Sequence, residues 1–103
     1  MITWNIQKTS KKRQFKIAGH AEFDVIGKDI VCSAVSSIVQ TSINIAYCMG
    51  FLLKYEYDKQ NDKMEIIFKA KTEQQRAICN VLEWELISLS QQYPDNVRKV
   101  EDD

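Results

Sequence analysis

Apolar and polar residues alternate with a period of two along four stretches of the chain, and this alternation predicts β-strands. The first two stretches, residues 2–8 and 13–19, are separated by a short polar turn and predict a hairpin. Residues 51–57 and 64–70 show the same alternation around a second polar turn. The pattern therefore predicts two hairpins, one in each half of the chain.

Apolar residues recur at helical spacing in two further stretches, one after each hairpin. The first predicted helix begins at Asp29, because an Asp side chain at the N-cap accepts hydrogen bonds from free backbone N–H groups. Gly50 is expected to terminate it. The second helix begins after Thr72, which has capping-box spacing to Gln75, and ends before Pro94.

The predicted order is β-β-α-β-β-α, with a possible short edge strand over residues 96–100. This order predicts an α+β fold of two layers, in which both helices pack on one face of an antiparallel sheet. No repeat or composition break divides the chain, so residues 1–103 are expected to form a single domain. Uncharged residues 30–53 contain Ser, Thr, Asn and Gln, which favours a buried or interface helix over a membrane span.

The composition narrows the chemistry that this chain can perform. Fourteen basic and fourteen acidic residues give a net charge of zero, so a globally basic nucleic-acid binder is not expected and no DNA partner is predicted. The three cysteines are widely spaced and odd in number, and no hydrophobic leader opens the chain. These features predict a cytoplasmic protein with free thiols. With a single histidine and no CxxC pair, no metal site or cofactor is predicted.

One segment combines the single histidine with a cysteine at the start of a predicted helix. His20 follows a strand, and Cys32 lies in the first turn of the helix that begins at Asp29. Free N–H groups and the helix dipole favour a thiolate there, and a folded-back loop would allow His20 to pair with it. A buried, inert Cys32 and a turn-forming His20 remain the alternative at this point.

The same segment resembles the signature of the ribosomal-processing cysteine protease family, Prp. The matching residues are Gly19-His20-Ala21, then Gly27 to Cys32 reading Gly-Lys-Asp-Ile-Val-Cys, and Ser33-Ala34-Val35-Ser36. The motif covers under a fifth of the chain, but the length and the element order also resemble the family. Glu22 stands where family members often have Gly, a departure that bears on the specificity of this loop more than on its chemistry.

The resemblance implies an endopeptidase that removes the N-terminal extension of large-subunit ribosomal protein twenty-seven during ribosome maturation. It implies Cys32 as the nucleophile and His20 as the general acid/base. Gly19, Asp29 and Ser36 match supporting positions of the motif. The implied partners are the ribosomal protein precursor as substrate, a second copy in a homodimer, and the ribosome. A non-catalytic α+β dimer that binds ribosome or RNA is the alternative.

Three other features carry separate expectations. Five basic residues crowd the first hairpin, from Lys8 to Lys16, and predict either a solvated face or a site for ribosomal RNA. Cys48 and Cys79 are expected in the core. Four aromatic residues are expected in the core, and the alternative is that they line a groove for an aromatic pair of the substrate. They are Trp4, Tyr55, Tyr57 and Trp84.

Overall fold

The computed structural model describes the backbone of residues 1–19 and 28–101 and the side chains of residues 1–19 and 30–101. Two hairpins, each followed by a helix, and a short last strand make up the described chain. The elements are β1 (Ile2–Lys8), β2 (Lys12–Gly19), α1 (Lys28–Cys48), β3 (Leu52–Asp58), β4 (Lys63–Lys69), α2 (Glu73–Gln92) and β5 (Val97–Lys99). The predicted α+β order is confirmed, including the edge strand at the C-terminal end.

The five strands form one sheet in the order β3-β4-β2-β1-β5. The first four strands pair antiparallel, as predicted, but β5 pairs parallel with β1. The sheet is therefore mixed, because the edge strand, whose direction the sequence left open, is parallel to its neighbour. β5 is parallel to β1 because α2 returns the chain to the end of the sheet where β1 begins. There the Ile2 N–H donates to the Asn96 carbonyl at 2.7 Å.

Both helices pack on the same face of the sheet, as predicted. The buried face of the strands carries Trp4, Phe15, Ile66 and Phe68, none of them more than 1% exposed. The Trp4 indole N–H donates to the Ser90 hydroxyl on α2 at 2.9 Å, so the polar atom of this buried ring is satisfied. One continuous core joins the sheet to both helices.

The predicted start of α2 and the predicted end of α1 are both formed. The Thr72 hydroxyl accepts the Gln75 N–H and the Gln75 side chain accepts the Thr72 N–H, which completes a capping box. At the end of α1, Gly50 has a φ of 79° and the Phe51 N–H donates to the Ala46 carbonyl at 2.8 Å. This is a Schellman ending, in which glycine adopts the left-handed conformation.

The start of α1 and its buried stripe differ from the prediction. The helix begins at Lys28, so Asp29 is its second residue and the N-cap position falls outside the described residues. Helical spacing predicts a buried stripe that runs through Val31, Val35, Ile38, Ser42, Ile45 and Met49. Over the last half of the helix the buried side includes Ile43 and Ala46, whereas Ile45 and Met49 are exposed. The buried positions are Val31, Val35, Val39, Ser42, Ile43 and Ala46.

Within α1, residues Ile30–Cys48 are long and apolar enough to cross a membrane, with a mean hydropathy of 1.4. Length and composition alone carry little weight, because the core helix of a globular domain meets the same criterion. One face of this helix is packed in the core and the other carries exposed Ser, Gln and Asn side chains. The helix therefore has the two-sided character of a layer in a globular domain.

Candidate active site

The periodicity of α1 places Cys32 at the rim of the core. Val31 and Val35 are buried against the sheet, and each is followed by a residue rotated by about 100° around the helix axis. Cys32 and Ser36 occupy these rotated positions, with Cys32 half-buried and Ser36 exposed. The two side chains share one face, one turn apart, where they are reachable from outside.

This rim faces a cavity of about 260 Å³ between α1 and one end of the sheet. Cys32 and Ser36 form the helix side of the cavity. The opposite side comes from the end of β2 and from the β3–β4 hairpin. Residues that contribute there include Ala18 and Gly19 on β2, Tyr57 on β3, Met64 on β4, and Asp62 in the turn between β3 and β4.

Gly19 ends β2 in a conformation that only glycine adopts without strain. Its φ is 91°, and a Cβ atom at this position would lie 2.2 Å from the Met1 carbonyl oxygen. Its N–H donates to the Asp62 carbonyl at 2.9 Å. The missing side chain therefore allows the backbone before His20 to lie close to Met1, and the hydrogen bond to Asp62 fixes it there.

Asp62 joins this strand end to the aromatic wall of the cavity. Its carbonyl accepts the Gly19 N–H, and its carboxylate accepts the Tyr57 hydroxyl at 2.8 Å. Asp62 has a φ of 52°, a left-handed conformation that Asp tolerates better than most residues. The hydrogen bond to Asp62 raises the pKa of Tyr57, so its hydroxyl remains protonated across the neutral range.

The hairpin beside the cavity also carries a fixed negative charge. The Asp58 carboxylate accepts hydrogen bonds from the Asn61 side chain at 2.7 Å and from the Gln60 and Asn61 backbone N–H groups. These hydrogen bonds, the Asn61 side chain first, lower the pKa of Asp58, so it is ionised at neutral pH. The charge of Lys63 also lowers this pKa, so the turn carries charges of both signs.

The structure brings three of the five predicted site residues together: Cys32, Ser36 and Gly19 line one cavity. His20 follows Gly19 directly but lies outside the described residues. Asp29 lies in the first turn of α1, and its side chain is not described. The sequence predicts Cys32 in the first turn of the helix, but it is the fifth residue of α1, so the four unpaired N–H groups of the helix start precede it.

The remaining cysteines and aromatic residues divide between core and surface. Cys79 is buried, as predicted, and burial raises the pKa of its thiol to about 11. Cys48 is exposed, which contradicts the prediction, because it lies beyond the buried stripe in the last turn of α1. Trp4 is in the core, whereas Tyr55, Tyr57 and Trp84 are 46–68% exposed.

Tyr57 and Asp62 are polar residues of the cavity wall that lie outside the family motif. Tyr57 was expected in the core, with a substrate groove only as the alternative. The register of β3 against β4 explains its position, since Tyr57 pairs with Met64 on the helix face of an edge strand. No sequence pattern marks Asp62, because its role depends on the meeting of a hairpin turn with the end of a distant strand.

A larger cavity of about 690 Å³ lies on the opposite face of the sheet. It is lined by backbone and by charged side chains such as Lys16, Glu56 and Glu65, with no cysteine among them. We assign the candidate site to the smaller cavity because that one contains a nucleophilic side chain. Among the described residues, no group of three His, Cys, Asp or Glu side chains is placed to hold a metal ion.

Comparison with protein families identifies one match, which covers nearly the whole chain. The model of the family described as cysteine protease Prp matches residues 1–98. A comparison with curated proteins finds no match.

Solved structures with the same fold include two of the Prp protease of S. aureus. One is described as an essential ribosomal processing protease with a covalently linked product peptide, and it shares 23% identity with a TM-score of 0.79. That alignment covers 96% of this chain and 97% of the other. The second, with a substrate peptide, shares 22% identity at a TM-score of 0.79 and covers 99% and 100%.

A third structure is that of SMU.848 from Streptococcus mutans, with 21% identity and a TM-score of 0.79 over 96% of this chain and 91% of the other. At these identities the likeness extends to the fold. The arrangement of two helices on one face of a five-stranded sheet is therefore shared with all three structures.

The close approach of Gly19 to Met1 predicts that Gly19→Ala destabilises the protein more than Gly50→Ala. Both glycines have positive φ, so both substitutions carry the left-handed backbone cost of about 1–2 kcal/mol. Only at Gly19 does the new Cβ also meet a backbone atom, since the space beside Gly50 is open. Urea unfolding of the two variants measures the difference, and equal losses would show that the Met1 contact imposes no constraint.

Proposed function

This chain belongs to the Prp family of cysteine proteases, and we propose that it cleaves a ribosomal protein precursor with Cys32 as nucleophile and His20 as general acid/base. The observation that carries the proposal is the cavity in which Cys32 faces the strand end that leads into His20. Of the three cysteines, Cys79 is buried and Cys48 lies in the last turn of the same helix. Cys32 is the one that lines this cavity.

The proposed reaction proceeds in two steps. The Cys32 thiolate attacks the scissile carbonyl carbon and forms a thioester with it as the peptide C–N bond breaks. The protonated His20 imidazole transfers its proton to the departing amine. A water molecule then hydrolyses the thioester, with His20 accepting its proton, and the free carboxylate leaves. Ser36, one turn after Cys32 on the same face, is placed to hydrogen-bond the substrate backbone.

The proposed substrate is the precursor of large-subunit ribosomal protein twenty-seven, from which an N-terminal extension is removed. One feature of the cavity supports a peptide with aromatic residues. Tyr57 is 50% exposed at the cavity wall and offers a ring for an aromatic side chain to stack on. An association with the ribosome follows from the substrate proposed here.

We place the protein in the cytoplasm. All three cysteines are free thiols, and one of them is exposed, which suits a reducing compartment better than an oxidising one. The proposed substrate is also made there. The location is thus an inference from the thiols together with the proposed substrate.

Replacement of the nucleophile tests the proposed chemistry. Cys32→Ala is expected to lower cleavage of the ribosomal precursor by at least about a thousandfold, because no other group replaces the thiolate. Cys48→Ala removes a thiol from the same helix and is expected to keep wild-type cleavage. Product masses give the readout, and thermal unfolding checks that both variants are folded. Cleavage by Cys32→Ala at the wild-type rate would remove Cys32 from the mechanism.

We also propose that the protein forms a homodimer through the outer surface of α1 and α2. An apolar groove of about 330 Å³ runs between the helices, lined by residues that include Ile38, Ile45 and Val81. Val81 is 60% exposed, and Trp84 nearby on α2 is 68% exposed. Exposed apolar surface of this kind is typical of an interface.

The charge pattern favours a second copy of this chain as the occupant of the groove. No charged residue occurs from Ile30 to Leu53, so two copies of α1 can approach without like-charge repulsion. In a two-fold dimer the same patch is used by both subunits, so it must be complementary to itself. A nearly uncharged groove meets that requirement.

Val81→Glu is expected to convert the dimer to a monomer, because it introduces two like charges into a two-fold contact. Leu53→Glu is the matched control, since Leu53 is 51% exposed on β3 and does not line the groove. Sedimentation equilibrium measures the mass, with twice the 12.0 kDa of the chain expected for wild type and for Leu53→Glu. A wild-type protein that sediments as a monomer at micromolar concentration contradicts the proposed dimer.

A further inference from the structure

The end of the sheet opposite the Cys32 cavity carries mainly positively charged residues. The β1–β2 turn, the end of β4 and the start of α2 meet there, and Lys12 on β2 pairs directly with Lys69 on β4. Seven basic residues belong to this region, which we call the basic end: Lys8, Lys11, Lys12, Arg13, Lys69, Lys71 and Arg76.

Among the described residues, only two acidic residues accompany them. Glu83 pairs with Lys8 at 2.8 Å, and Glu73 lies in the first turn of α2. The basic end therefore has a formal charge of +5, although the net charge of the whole sequence is zero.

The backbone of the basic end is fixed by hydrogen bonds. The Thr9 hydroxyl accepts the N–H groups of Lys11 and Lys12, and the Arg13 guanidinium donates to the Thr9 carbonyl at 2.7 Å. The Ala70 N–H donates to the Lys11 carbonyl at 2.7 Å, which ties the hairpin turn to the end of β4. The lysines are thus displayed from a preorganised frame.

The placement of these lysines opposes folding. Like charges directly opposite each other on neighbouring strands are destabilising, and Lys12 and Lys69 are such a pair. Within the described part of the chain, Lys11, Lys12, Lys69 and Lys71 make no ion pair. An anionic partner would relieve this repulsion, and several phosphates spaced along a backbone would match several lysines at once.

We propose that the basic end binds the phosphate backbone of double-helical RNA. The choice of RNA rests on the proposed function, which places the substrate in the assembling ribosome. The Cys32 cavity lies at the other end of β2, about 23 Å away along eight residues of strand. Bound RNA would therefore leave the cavity open to the peptide.

The test measures binding of a fluorescein-labelled 20-base-pair RNA duplex by anisotropy at 50 and 200 mM salt. Wild-type affinity is expected to fall steeply with salt, since phosphate contacts release counterions. Lys11→Glu/Lys12→Glu is expected to weaken binding by about tenfold or more and to flatten the salt dependence. Lys59→Glu/Arg98→Glu makes the same change in net charge at the other end and is expected to stay within about threefold of wild type.

Three results would overturn the proposal: no binding at 50 mM salt, equal weakening by both double variants, or tighter binding to vesicles of 30% phosphatidylserine than to the duplex. Circular dichroism verifies that both variants are folded. Peptide cleavage separates this proposal from the proposed function, because Lys11→Glu/Lys12→Glu is expected to cleave normally. Cys32→Ala is expected to bind RNA normally.

Discussion

The packing of one valine-rich stripe of α1 on the apolar face of the sheet determines where the candidate site lies. Val31, Val35 and Val39 are at most 5% exposed, so this helix cannot rotate without bringing apolar side chains into water. Cys32 and Ser36, one position further along the chain, are consequently held at the core's edge. Because α1 starts near the end of β2, the same packing sets Cys32 against Gly19.

The sheet supplies the other half of the site with equal constraint. Gly19 is locked by its positive φ and by the Met1 carbonyl, and Asp62 links it to Tyr57. The proposed nucleophile on a helix fixed by core packing and the strand end fixed at Gly19 would provide the preorganisation that peptide hydrolysis requires. The basic end lies at the opposite end of β2, so its positive charge is separated from the cavity.

The parts of the structure that depend on local patterns could be predicted from the sequence. Period-two alternation identified the four main strands, and Thr72 with Gln75 identified the start of α2. The family motif predicted that Cys32 and Gly19 belong to one site, and both line the cavity. What the sequence could not supply depends on packing between distant elements. The position of Cys48 outside the buried stripe, the parallel pairing of β5, and the Asp62 link from a turn to Gly19 are all of this kind.

We propose that Cys32 acts as an activated thiol paired with His20, and competitive alkylation distinguishes it from an ordinary cysteine. Wild-type protein is treated near neutral pH with limiting iodoacetamide, and peptide masses report which cysteine reacts first. Exposure alone would favour Cys48, which is exposed where Cys32 is half-buried, and would leave buried Cys79 last. If Cys32 is activated, it reacts first, and His20→Ala slows it to the rate of Cys48 or below. Labelling of Cys48 ahead of Cys32, unchanged in His20→Ala, would contradict it.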